Sequence, residues 1–185
     1  MGCADDLTPH DEKSYLARRL CSNTAAVSAQ PGVEVVDGVA LTSSGDTVLV
    51  LYNDAAPRPL AAPVKRVDAV LASGHSEVLV MQCALGSSTP PDAEIRALCY
   101  RDIKRLRPRL RCVVTVPLGD DVWVVLILSV MRGMSTVVGM GSIHFVEKNR
   151  ADGIARLRSK AAPSEAALHE LVATLYAAVG LRSTM

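Results

Sequence analysis

"SEVLVMQCALGSSTPPDAEIRALCYRDIKRLRPRLRCVVTVPL", residues 76–118, holds two apolar runs with a different periodicity between them. The first, "SEVLVMQCAL", is short and almost continuously apolar, the mark of a strand covered on both faces. In the middle, Ile95, Leu98, Cys99, Ile103 and Leu106 recur at helical spacing. "RCVVTVPL" then repeats the texture of the first run. Strand, helix and strand in this order form a βαβ unit, which requires parallel strands.

The same rhythm extends outward. Upstream, "VEVVDGVALTSSGDTVLVLYN" sets two β-branched runs around Ser43-Ser44-Gly45-Asp46, a hairpin signature. Leu60, Val64, Val67 and Leu71 predict a helix that Gly74 ends. Downstream, "GDDVWVVLILSVMRGM" reads as a buried helix starting near Asp120, with a second arm of a hairpin on Cys112 to Pro117 as the competing reading. "SIHFVEKN" is a strand, Asn149 caps a helix carrying Ile154 and Leu157, and residues 164–178 form a last helix. Thr8-Pro9-His10-Asp11 opens a further helix through about Cys21.

The fold expected is therefore α/β: an N-terminal β-hairpin, then alternating strands and helices, with a mostly parallel sheet and helices packed on it. Residues 1–31 read as an N-terminal helix and linker, 32–160 as the α/β domain, and 161–185 as a C-terminal helix packed on it or extending it.

Composition narrows the function. Aromatics are only 3%, which leaves few stacking platforms for bases, and the net charge of +1 gives no global field to attract polyanions. Both argue against nucleic acid as the partner. Five scattered cysteines, Cys3, Cys21, Cys83, Cys99 and Cys112, fit reduced core thiols of a cytoplasmic protein. The apolar run Val122 to Leu128 falls well short of the roughly 20 residues that span a bilayer, so no transmembrane segment is expected. Gly2-Cys3 could accept acyl groups, but Asp6 stands where the myristoylation pattern has Ser or Thr.

Candidate sites are few. Ser87, Ser88 and Thr89 lie between the first strand and the helix, where backbone N–H groups could hold a phosphate. Pro90 and Pro91 lack that N–H, and Asp92 and Glu94 already supply negative charge, so the residues themselves read as a capped turn. Arg101, Lys104, Arg105, Arg107, Arg109 and Arg111 form the one strong basic cluster, either a solvated face or a contact for an acidic partner, an anionic lipid head group or RNA phosphates, with the near-neutral total charge favouring protein. His10, His75, His144 and His169 stand far apart, so no metal is expected, and Gly139-Met140-Gly141 is a turn rather than a dinucleotide loop. No nucleophile, base and orienter can be named together, so neither catalytic residues nor a cofactor are expected.

The order of elements resembles that of the STAS domain, the family of bacterial anti-sigma-factor antagonists and their relatives. Three stretches carry the resemblance: "SEVLVMQCALGSSTPPDAEIRAL", "LRCVVTVPLGDDVWVVLILSVMRGM" and "IHFVEKNRADGIARL". The likeness is one of layout and covers roughly 33–160. It implies a non-enzymatic regulatory module that docks a protein partner around the serine loop, with Ser87 or Ser88 matching the serine at which some family members are controlled by phosphorylation. Two other layouts compete: a dimerising adaptor of the roadblock or longin type, built on two hairpins, and a small-molecule or lipid binder with a closed apolar cavity. Homodimerisation stays open at this stage.

Overall fold

The computed structural model describes residues 32–36, 38–52, 61–85, 93–118, 129, 132–133, 135–137, 139–160 and 162–178. The expected helix over 8–21, the serine loop and most of Asp120 to Met134 lie outside them.

The β-rich stretch after residue 32 makes three antiparallel strands, where the sequence predicts two. Strand β1 (Glu34–Val36) pairs with β2 (Val39–Ser44), and β2 pairs with β3 (Thr47–Tyr52). The extra turn falls at Gly38, whose φ of 79° is a left-handed conformation that glycine adopts at little cost. Its three-residue length keeps β1 a short, blunt edge.

From β3 onward the sheet is parallel. Helix α1 (Ala61–Ala72) leads to β4 (Val78–Leu85), helix α2 (Ala93–Leu106) leads to β5 (Leu110–Leu118), and residues 119–143 lead to β6 (His144–Val146). Gly74 ends α1 with a φ of 106°, as its position predicts. The strand order is β1-β2-β3-β4-β5-β6, a six-stranded mixed sheet, mostly parallel.

That order has a consequence for packing. Parallel strands that step across a sheet in one direction through right-handed crossovers put every crossover on the same face. Val67 and Val70 of α1, Leu106 of α2 and Met140 of the third crossover accordingly share one apolar cluster with Val48, Val50, Val80 and Val113 of the sheet. The opposite face would be bare without further chain. Helices α3 (Arg150–Arg158) and α4 (Glu165–Ala178) cover it, with Ile154, Leu157, Leu168, Val172 and Leu175 on Leu49, Leu51, Met81 and Val114. Helix α3 starts as its sequence predicts: the Asn149 side chain accepts from the Asp152 N–H at 2.9 Å.

Of the contested stretch 120–134, Ser129, Arg132 and Gly133 are helical, and so are residues 135–137 just beyond it. Strand β5 has neighbours on both sides: it pairs with β4 along its length, while Val113 N donates to Ile143 O and Glu147 N donates to Thr115 O. The edge that a hairpin arm over Val113 to Thr115 would need is thus taken by β6. Among the described residues, no helix is long and apolar enough to cross a membrane.

Helix α2 is the least embedded of the crossovers. Cys99 and Leu106 are buried and Ile103 is half-buried, which makes one inward stripe at i, i+4 and i+7. Leu98, expected on that stripe, is 43% exposed, and Tyr100 is 37% exposed. Two residues apart on a helix is a rotation of about 200°, so these side chains stand on opposite flanks. Between them, facing away from the sheet, run Ala97, Arg101 and Lys104, all exposed.

Candidate functional site

The six cations of the basic cluster divide into two groups. Arg111 is the extra residue of a β-bulge, since Val78 pairs with Leu110 and Leu79 with Cys112. Freed from the ladder, its guanidinium reaches Glu77 at 2.9 Å and Asp46 at 3.3 Å and donates to the Lys160 carbonyl at 3.4 Å. Arg105 makes a two-pronged pair with Asp68 of α1, at 2.8 and 2.9 Å. Arg107 donates to the Gly139 carbonyl, and Arg109 to the carbonyls of Ser76 and His75. These four fasten the ends of α2 and β5 to their surroundings.

Arg101 and Lys104 differ. Among the described residues Arg101 meets Asp102, its neighbour on the same helix, at 3.3 Å, with a side chain 70% exposed. Lys104 makes no ion pair among the described residues. Both project from the outward stripe of α2. The loop bearing Ser87, Ser88 and Thr89 joins β4 to this helix in the chain and lies outside the described residues.

A second polar group went unread in the sequence. Gln82, Thr115 and His144 occupy adjacent parallel strands on the face where the residues two places earlier on β4 and β5, Val80 and Val113, are apolar. Gln82 Nε2 donates to Thr115 Oγ1 at 2.7 Å, Thr115 Oγ1 lies 2.9 Å from His144 Nε2, and His144 Nδ1 lies 2.6 Å from Ser135 Oγ. Gln82 donates to Thr115, and both ring nitrogens of His144 meet hydroxyls, Nε2 that of Thr115 and Nδ1 that of Ser135. Thr115 is fully buried and Ser135 nearly so, and the chain of bonds meets the cost of placing them among valines.

Burial holds the His144 imidazole below its ordinary pKa, and the charge of Arg132 adds to the effect. As the pH falls below about 6.5 the unfolded chain takes up the proton first, so the unfolded state binds more protons. Stability from this group is thus complete above the unfolded value and is lost as pH falls through the folded one. Urea unfolding of the wild type should give a lower midpoint at pH 5 than at pH 7.5, and His144→Gln should narrow that gap. Thr115→Val, which strands Gln82 Nε2 and His144 Nε2, should cost about 1–3 kcal/mol at pH 7.5.

The described thiols are inert. Cys83, Cys99 and Cys112 are buried, free and shifted upward by that burial, Cys83 and Cys112 to about 11. Cys83 shares a hydrogen bond with Tyr176 of α4. Protonated at neutral pH and sealed in the core, such thiols are poor nucleophiles. Among the described residues, no cluster of three or more His, Cys, Asp or Glu side chains could hold a metal ion.

The arrangement thus offers a closed hydrogen-bonded row inside the sheet and an open cationic stripe on the outside of α2. Compared with family models, with curated proteins and with solved structures, the chain matches none.

Proposed function

We propose that the chain is a non-enzymatic regulatory domain that binds a partner protein through the loop of Ser87, Ser88 and Thr89 and the outward stripe of α2. The observation that carries this reading is the division of the basic cluster: Arg105, Arg107, Arg109 and Arg111 are bonded to carboxylates or carbonyls of other parts of the fold, while Arg101 and Lys104 face solvent beside Tyr100. A surface of that kind suits an acidic segment of a partner.

Topology supports it. Open α/β sheets bind small ligands where the strand order reverses and the loops part into a crevice. Here β3 to β6 advance in one direction, so the order has no reversal among them. A strand order of this kind is consistent with contact to a partner along an outer helix face.

The test compares capture from the native cell by wild type and by the Arg101→Glu, Lys104→Glu double variant, with Arg158→Glu as a control on the other face of the sheet. Proteins retained by wild type and the control but lost by the double variant support the proposal. An unchanged set of captured proteins overturns it.

A further inference from the structure

The exposed side of α2 carries a spacing of its own. Glu94, Ala97, Leu98 and Arg101 stand at i, i+3, i+4 and i+7 and are all exposed, so they form one strip about 100° wide on the flank that bears Leu98. The strip is apolar in the middle and charged at both ends, acid first and base last. Neither charge is answered from another element: among the described residues Glu94 makes no ion pair, and Arg101 meets its chain neighbour Asp102. Carboxylates elsewhere in the fold are placed differently. Glu34 holds Arg66, Asp68 holds Arg105, Asp46 and Glu77 hold Arg111, and Glu147 holds Arg156, each across two elements.

This spacing maps onto itself when the helix is reversed, because i exchanges with i+7 and i+3 with i+4. A second α2 laid antiparallel on the first therefore sets Glu94 against Arg101, and Arg101 against Glu94, with Ala97 beside Leu98 on each side of the axis. Both charges and both leucines are then satisfied at once. We infer that the chain forms a two-fold symmetric homodimer through this strip, with Glu94 of each copy paired to Arg101 of the other and the two Leu98 side chains covered between the helices. This rests on the reading of the outer face of α2 as a docking surface, and it names a second copy of the chain as the occupant of its Leu98 flank.

Charge order favours the copy over other occupants. An acidic segment suits Arg101 and Lys104, but laid along this strip it would bring like charge against Glu94. The reversed strip opposes both ends. Ala97, small and next to the axis, lets the helices approach within the usual interaxial range of about 8–10 Å. One helix from each copy is a small contact, so the association belongs with weak, concentration-dependent dimers. It also gives a use to Leu98, a large apolar side chain left 43% exposed by the fold of a single chain.

Sedimentation equilibrium of the full chain tests the inference. The average mass of the wild type should rise from that of one chain toward that of two between about 10 and 500 µM. Glu94→Arg alone, or Arg101→Glu alone, places like charges across the axis at both ends of the strip and should weaken association at least about tenfold. In an equal mixture of the two variants every charge meets its opposite again, and association should return to within about threefold of the wild type. Wild type that stays monomeric at about 500 µM, single variants that associate as the wild type does, or a mixture no more associated than its components, each overturns the inference. The docking reading fails separately. Monomeric wild type whose capture of a partner still depends on Arg101 and Lys104 leaves that reading standing and removes the dimer; association restored by mixing, with capture unchanged in the Arg101→Glu, Lys104→Glu variant, removes the foreign partner and leaves the dimer.

Discussion

Removing residues 161–185 is expected to abolish the cooperative unfolding transition of the chain. Helix α4 follows the last strand and lies on the face that the one-way crossovers leave open, so nothing else in the described fold covers β2 and β3 on that side. Leu168, Val172, Leu175 and Tyr176 would all be lost from the core, while Ala40, Leu49 and Leu51, nearly inaccessible in the intact chain, would face water. At about 1.5–3 kcal/mol for each large side chain, the four removed residues amount to roughly 6–12 kcal/mol. That is the whole stability of an ordinary domain, about 5–15 kcal/mol. Urea titration followed by far-ultraviolet circular dichroism should show a sigmoidal curve for the full chain and a sloping, featureless one for the shortened chain. A cooperative transition in the shortened chain would contradict this packing.

The second large effect is expected at Gly153, where α3 presses on the sheet. A Cβ there would lie 2.7 Å from Val116 Cγ2, 3.1 Å from Met81 Cε and 3.5 Å from Val114 Cγ1. The methionine tip can move, but a valine between two strands has one comfortable rotamer and nowhere to go. Gly153→Ala gains about 1 kcal/mol of helix propensity and loses about 1–3 kcal/mol to overpacking, for a modest net loss. Gly153→Leu cannot be accommodated without lifting α3 off β4 and β5, and a loss of more than about 3 kcal/mol is expected. Gly133, also helical but with nothing within 4 Å of its would-be Cβ, is the control: Gly133→Ala should be neutral or stabilising. Denaturant midpoints measure all three, and equal effects at Gly153 and Gly133 would contradict the close approach.

Much of this architecture was legible because local patterns and tertiary packing agree. The apolar runs of β4 and β5 are covered on both faces, as their composition requires, and Gly74 and Asn149 mark helix ends by local geometry alone. Leu98 was misplaced because periodicity gives a stripe about 100° wide without saying where burial stops, and α2 leans on the sheet mainly through Cys99, Ile103 and Leu106.

The polar row was harder. Gln82, Thr115 and His144 each interrupt an otherwise apolar strand, and that repeated interruption was the available signal. Their meeting depends on register, however: Gln82 opposite Thr115, and His144 two pairs below Val146, the partner of Thr115. Periodicity carries no information about register between strands tens of residues apart. The basic run posed the opposite problem. Its density was plain, yet only the bulge at Arg111 and the placement of Asp68 on α1 separate the cations that hold the fold together from the two that face outward.

Those two residues carry the functional account, and the affinity of a captured partner for them is its most direct test. Titration calorimetry of wild type against the Arg101→Glu, Lys104→Glu variant, at about 0.05 and 0.3 M salt, should show at least a tenfold weaker Kd for the variant at low salt and a narrower difference at high salt. Equal Kd values at both salt concentrations, with both proteins folded by circular dichroism, would contradict it.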